Sequence, residues 1–186
     1  MRALIFCGYH NTGKTTMLLR AVRGLTAKGF TVSTVKHSPG MNRDPASPGG
    51  AAQSTDSERL LAAGSAGTVL VTATEAFMQR RLVLRDAGDP ASVLSEILGE
   101  LRTDFVLIEG FKRYHGPLPK ILLVRKAEEL SELTDETTVA YSGLHAREGW
   151  SSSLPYLPHT MNEEEIAAFV LRHAREVEAW DNGHPE

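Results

Sequence analysis

The stretch "GYHNTGKTT", Gly8 to Thr16, decides the fold. It follows the apolar run Ala3-Leu4-Ile5-Phe6-Cys7, which reads as a buried strand. It leads into Met17-Leu18-Leu19, early in a helix from Lys14 to about Lys28 with Gly29 as its stop. Gly8 to Thr15 fits G-x-x-x-x-G-K-S/T in the strand, loop, helix context that gives the pattern its meaning. Glycines without a Cβ let successive N–H groups turn inward onto phosphate oxygens, and the helix adds the positive end of its dipole. Gly8, Tyr9, His10, Asn11, Thr12, Gly13, Lys14, Thr15 and Thr16 therefore form the expected nucleotide-binding loop. Lys14 is expected to reach the β and γ phosphates and to act in catalysis, and Thr15 to ligate Mg²⁺. Thr16 either adds a hydroxyl near the α phosphate or is an ordinary helix residue. The dinucleotide fingerprint G-x-G-x-x-G does not fit, because Gly8 and Gly13 lack its spacing.

Outward from this loop, strands alternate with helices. Phe30 to Val35 is rich in β-branched residues and reads as a strand. Ser38 to Gln53, with three prolines and three glycines, reads as a long loop, either functional or disordered. Thr55 to Glu58 has the spacing of a capping box ahead of a short helix that stops at Gly64. Thr68 to Thr74 reads as a strand. Asp89-Pro90 supplies an N-cap and a proline at the first position of a helix carrying Val93, Leu94, Ile97, Leu98 and Leu101. Phe105 to Ile108 is continuously apolar, as in a strand covered on both faces. Ile121 to Val124 and Thr138 to Tyr141 read as further strands. Asn162 to Glu165 caps a last helix whose apolar positions run from Ile166 to Val177. This alternation predicts an α/β fold, a P-loop NTPase-like, mainly parallel sheet with helices on both faces. It is expected as one nucleotide-binding domain over residues 1–180, with a frayed tail at 181–186.

A nucleotide site needs an acid near the metal, and Asp104 and Glu109 bracket one strand. Ligands of parallel sheets bind beyond the carboxyl ends of the strands, on the side of the phosphate loop. Asp104 would lie roughly 16 Å from that end, so Glu109 is the candidate metal ligand and catalytic residue, by holding the metal through water or orienting the attacking water. Gly110 would let the chain pass close to the γ phosphate. Lys36 and His37 end the second strand on the same side, and Asp44 follows in the long loop, which could order around phosphate and metal as a switch. Arg59 could reach phosphate or cover apolar surface with its stem.

The chain has 186 residues, 41% of them apolar, enough for one domain with a real core. A formal charge of -3 removes most of the drive for extended nucleic-acid binding. The single cysteine, Cys7, cannot form an intrachain disulfide and reads as a small buried hydrophobe. No apolar run approaches the ~18 residues of a membrane span, and no secretory leader is visible, so a soluble cytoplasmic protein is expected, with neither a membrane nor nucleic acid as partner. Neither paired cysteines nor closely spaced histidines suggest a structural zinc.

In these residues the chain resembles the MobB family of molybdopterin-guanine dinucleotide biosynthesis adaptor proteins. The matches are "GYHNTGKTT", "VKH" at Val35 to His37, "DSERLLAAGSAG" at Asp56 to Gly67, and "DFVLIEGFKRYHGPLPKILLVR" at Asp104 to Arg125. Glycine-rich phosphate loops are widespread, whereas E-G-F-K followed by P-K-I is far more restrictive. The resemblance implies a dimeric P-loop protein that binds GTP with Mg²⁺, hydrolyses it weakly and assists a MobA nucleotidyltransferase joining GMP to molybdopterin. It also marks Lys36, His37, Gly110, Phe111, Lys112, Pro119 and Lys120 as signature positions. The chain departs from the family pattern at Ser38-Pro39-Gly40-Met41-Asn42, where a histidine- and acid-rich stretch is common, and at Thr55-Asp56-Ser57, where K-D-S is frequent. No N-K-x-D follows a strand, so the residues by themselves reach only "nucleoside triphosphate". Two other readings stay open: a small-molecule kinase using Arg80, Arg81 and Arg85, and a binding protein without useful turnover.

Overall fold

The computed structural model describes residues 1–37, 56–80, 82, 84, 86, 88–151 and 153–177. The expectations for the Ser38 to Gln53 loop, Asp44, the Thr55 cap, Arg81, Arg85 and the tail from Asp181 lie outside the described residues. In chain order the elements begin β1 (Arg2–Gly8), α1 (Lys14–Ala27), β2 (Val32–Lys36) and α2 (Asp56–Ala62). β3 (Gly67–Val71), β4 (Ala76–Arg80), α3 (Pro90–Gly99), β5 (Phe105–Glu109) and β6 (Lys120–Leu123) follow. The chain continues through α4 (Ala127–Leu133), β7 (Thr138–Ser142), α5 (Glu163–His173) and β8 (Arg175–Glu176). Their contacts gather into two compact units, Met1–His37 with Asp86–Glu186, and Ser38–Arg85.

The first unit is built on a sheet ordered β2-β5-β1-β6-β7, all parallel, with β8 antiparallel to the start of β1. The expected mainly parallel α/β sheet is therefore present. Leu4, Phe6, Leu107, Ile121 and Leu123 pack in one core with Met17, Ala21 and Leu25 of α1 and Ile166, Phe169 and Val170 of α5. Side chains alternate along a strand, so Ala3, Ile5 and Cys7 point to the opposite face, where they are also buried. Both faces are covered. α3 begins as its sequence demands, with Asp89 accepting from the Ala91 and Ser92 N–H groups and Pro90 in the first turn. α5 carries a complete capping box between Asn162 and Glu165. α1 and α5 approach so closely at Gly24 that a Cβ there would lie 2.0 Å from the Glu163 carbonyl oxygen.

α5 ends at His173 and does not run on to Val177. Ala174 is extended, Arg2 donates to the carbonyls of Leu171 and Ala174, and Arg175 and Glu176 pair with Ala3 and Arg2. The Val177 N–H then donates to the Met1 carbonyl at 2.9 Å. The pairing with β1 and the Val177–Met1 bond outweigh the helical propensity of these residues.

The second unit holds α2 and a two-stranded antiparallel sheet of β3 and β4. The strand expected over Thr68 to Thr74 stops at Val71, where Thr72 makes the turn by accepting from the Glu75 N–H at 3.0 Å. Val69 sits opposite Met78 and Leu70 opposite Phe77, so the two pairs lie on opposite faces, and all four side chains are more than half exposed. Among the described residues, no helix is long and apolar enough to cross a membrane.

Candidate functional site

β1 ends at Gly8, whose φ of 146° and lack of a side chain let the chain leave the sheet against β6; a Cβ there would stand 2.0 Å from the Leu123 carbonyl oxygen. Two left-handed residues, Asn11 at φ 57° and Gly13 at φ 92°, then curl the loop into α1. α1 has no side-chain cap and no acid in its first turn, so the protein leaves the positive end of the helix unneutralised. The loop braces itself on one carbonyl: Tyr9 O accepts from Lys14 Nζ at 2.6 Å and from Thr12 Oγ1 at 3.0 Å. Thr12 is buried, which makes it a strut of the loop, while His10 and Asn11 stand exposed at its tip.

Register brings the second half of the site. Phe6 pairs with Glu109 and Glu109 with Lys36, so the ends of β2 and β5 flank the loop. Thr15 Oγ1 donates to Glu109 Oε2 at 2.9 Å, and Lys36 Nζ lies 3.5 Å from Glu109 Oε1. Partial burial lowers the proton affinity of Lys14, Glu109 opposes this, and Lys112 and Lys36 add to the lowering. The loop mouth opens into a cavity of about 420 Å³ lined by residues 10–16 with Lys36, Glu109 and Leu144. A hydroxyl, a carboxylate, an ammonium and a free helix N-terminus thus face one space, a donor set suited to a polyphosphate with a hard divalent cation.

The signature positions separate into distinct roles. Gly110, at φ 103°, passes the His37 carbonyl so closely that a Cβ would lie 3.0 Å from that oxygen. The Phe111 ring is buried and stacks on His37 with centroids 4.4 Å apart. Lys112 turns back over Tyr9, its Nζ 4.0 Å from the ring centre. Lys120 is not at the loop mouth: it is buried at the start of β6, bonded to the Tyr114 carbonyl at 3.0 Å and to the Asp135 carboxylate. Asp104 sits at the amino end of β5, where its carboxylate accepts from the Thr31 N–H and hydroxyl. Arg59 pairs with Asp56 within the second unit, and Arg80 is exposed on β4.

Two parts of the site were missed by sequence reasoning. Leu144 reaches the loop from beyond β7, its Cγ 3.5 Å from where a Gly13 Cβ would be. Its signal was available in Ser142-Gly143: Gly143, at φ 142°, passes within 2.0 Å of the Val124 carbonyl for a would-be Cβ, the same departure from the sheet that Gly8 makes. The other part is the outer brace, where the Tyr9 hydroxyl donates to Glu132 at 2.5 Å and Arg125, paired with Glu129 at 2.6 Å, lies 5.9 Å from the Tyr9 ring. It depends on α4, which carries no pattern long enough to announce itself.

Comparison with known proteins places this geometry among relatives. The family described as "Molybdopterin guanine dinucleotide synthesis protein B" matches residues 3–142. A molybdopterin-guanine dinucleotide biosynthesis adapter protein of Haemophilus influenzae is 34% identical over 122 residues, 64% of this chain and 61% of the relative. A probable adapter protein of the same description from Bacillus subtilis is 32% identical over 133 residues, 72% of this chain and 70% of the relative. The match to the Haemophilus protein thus spans less than two thirds of its length. The crystal structure of Bacillus subtilis MobB superposes with a TM-score of 0.66 at 25% identity, covering 95% of this chain and 100% of that one. The MobB homologue from Bacillus stearothermophilus, at 22% identity and TM-score 0.60 over 91% of this chain and 96% of that one, shares the fold.

Proposed function

The chain belongs to the MobB family, and from that membership we propose that it is a GTP-binding adaptor with weak GTPase activity, serving the guanylylation of molybdopterin. The relatives' description as adapter proteins of molybdopterin-guanine dinucleotide biosynthesis supports the role. The observation that carries the nucleotide half is the Thr15–Glu109 hydrogen bond at the mouth of the glycine loop, beside Lys14. One hydroxyl and one carboxylate suit Mg²⁺, which takes few protein ligands and fills its octahedron with phosphate and water oxygens. Among the described residues no group of three or more His, Cys, Asp or Glu forms a cage for any other metal. Thr15 and Glu109 would hold Mg²⁺ there, and the ion would supply positive charge to offset that of the phosphates. Lys14 would hold the β and γ phosphates, the first-turn amides of α1 would hold the phosphate chain, and Glu109 would orient the attacking water. Slow turnover fits a cavity whose lining holds no glutamine among the described residues to position the nucleophile.

The partner is a MobA-type guanylyltransferase, met in the cytoplasm, with molybdopterin reached through that enzyme. A second copy of the chain is the other partner. Isolated hairpins are marginal, and here the apolar pairs Val69–Met78 and Leu70–Phe77 are exposed on both faces, as a surface shared between copies would be. Calorimetry with GTP and Mg²⁺, followed by capture of the purified transferase with and without GTP, tests the proposal. Heat on GTP addition and GTP-dependent capture are expected. No heat with any purine triphosphate, or capture indifferent to nucleotide, overturns it.

A further inference from the structure

We propose that Lys112 contacts the terminal phosphate of the bound triphosphate and stabilises the charge that develops there during hydrolysis, an assignment that rests on the nucleotide reading above. The backbone before it is held in an unusual state. Phe111 is a buried aromatic in the left-handed region, at φ 52° and 2% exposure, a conformation that bulky residues rarely adopt. Three contacts enforce it: the stack on His37, the Gly110 N–H donating to the Phe6 carbonyl at 3.0 Å, and the Tyr114 N–H donating to the Phe111 carbonyl at 2.9 Å. Strain of this kind persists where the surroundings over-determine it, and such positions cluster at working sites. Its effect here is to send Lys112 back over the loop, three residues beyond the carboxylate that holds Thr15.

Two ammonium groups therefore meet on Tyr9, Lys14 at its carbonyl and Lys112 over its ring. The neighbouring cations are engaged by acids, Lys36 by Glu109 and Arg125 by Glu129. Among the described residues no carboxylate pairs with Lys112, whose counter-charge is an exposed π face. Such a seat is weak, and a phosphate oxygen would displace it through a charge-assisted hydrogen bond. Lys112 does not line the cavity itself, so the contact requires its side chain to swing from the Tyr9 ring to the phosphate. A water oxygen forms the new bond to the γ phosphorus while the bridging bond breaks, its electron pair passing to the β phosphate. The water's protons end on inorganic phosphate and solvent. Charge spreads over the equatorial oxygens on the way, and a cation close to them lowers the barrier.

Lys112→Met, which keeps the stem and removes the charge, tests this alongside Lys112→Arg. Calorimetry of GDP and of GDP with aluminium fluoride, both with Mg²⁺, is paired with single-turnover GTP hydrolysis. For Lys112→Met, GDP affinity within about twofold of wild type is expected, with hydrolysis and aluminium fluoride affinity each down roughly 10- to 100-fold. Lys112→Arg should restore most of both. Hydrolysis within twofold of wild type in Lys112→Met overturns the assignment, as does GDP affinity falling in step with hydrolysis, which is the mark of a structural role. A wild-type chain that binds no GTP overturns the nucleotide reading together with it, whereas wild-type binding combined with an inert Lys112→Met overturns the assignment alone.

Discussion

Thr15 and Glu109, 94 residues apart in sequence, share a hydrogen bond of 2.9 Å between Oγ1 and Oε2. The first helical turn after the phosphate loop is thereby tied to the carboxyl end of β5. Glu109 is nearly buried and meets Lys36 through its other oxygen. Glu109→Gln preserves shape and the bond from Thr15 while removing the charge. Thermal denaturation should give an unliganded midpoint close to wild type and a GTP-induced rise that no longer depends on Mg²⁺. A variant that keeps its magnesium dependence removes Glu109 from the metal site.

Lys14→Ala removes the ammonium from the loop. Its native partner is a single carbonyl, so the unliganded fold should lose only about 1 kcal/mol. With GTP and Mg²⁺ near one hundred times Kd, the wild type gains about 2.7 kcal/mol, or about 5–10 °C in midpoint for a chain of this size. The variant should show no rise at the same concentration.

Replacing GTP by ATP in the same thermal assay tests base preference. A larger rise with GTP is expected; equal rises remove guanine selectivity from the account and leave a generic triphosphate site.

Gly8→Ala would force a methyl into the Leu123 carbonyl at a φ that L residues avoid. Overpacking and backbone strain together should cost about 3 kcal/mol or more. Chemical denaturation would record the loss, and a variant as stable as wild type would contradict the geometry of the strand exit.

His173 stacks on Phe169 at 4.1 Å, and burial, with Arg172 adding to it, pushes its pKa below the usual 6.5. Between 6.5 and the lower folded value the unfolded chain binds more protons, so stability falls as the pH drops through this window and levels off beneath it. His173→Gln removes the titration. Urea midpoints at pH 8 and pH 5 should show wild type losing more than the variant on acidification.

Much of the site could be read before any coordinates, because its parts are local. The glycine loop, its lysine and threonines, and Glu109 at the end of an apolar strand follow from spacing and from the rule that parallel sheets bind at their carboxyl ends. What could not be read is carried by distant partners. Thr72 turns the β3–β4 hairpin through its own hydroxyl, without the glycine, asparagine or proline that would announce it. Arg175 and Glu176 look helical until the edge of β1 offers them a ladder. Leu144 and the Tyr9–Glu132 brace arise only when β7 and α4 are placed beside the loop. Lys120, a signature position of the resemblance, is the buried counter-ion of Asp135, a role visible only once β6 and Asp135 are placed.

The pairing of β8 with Arg2 and Ala3, closed by the Val177–Met1 hydrogen bond, lies at the amino end of β1, roughly 20 Å along the strand from the phosphate loop. That pole is a natural handle: a surface anchor or fluorophore attached there leaves the cavity mouth clear for single-molecule observation.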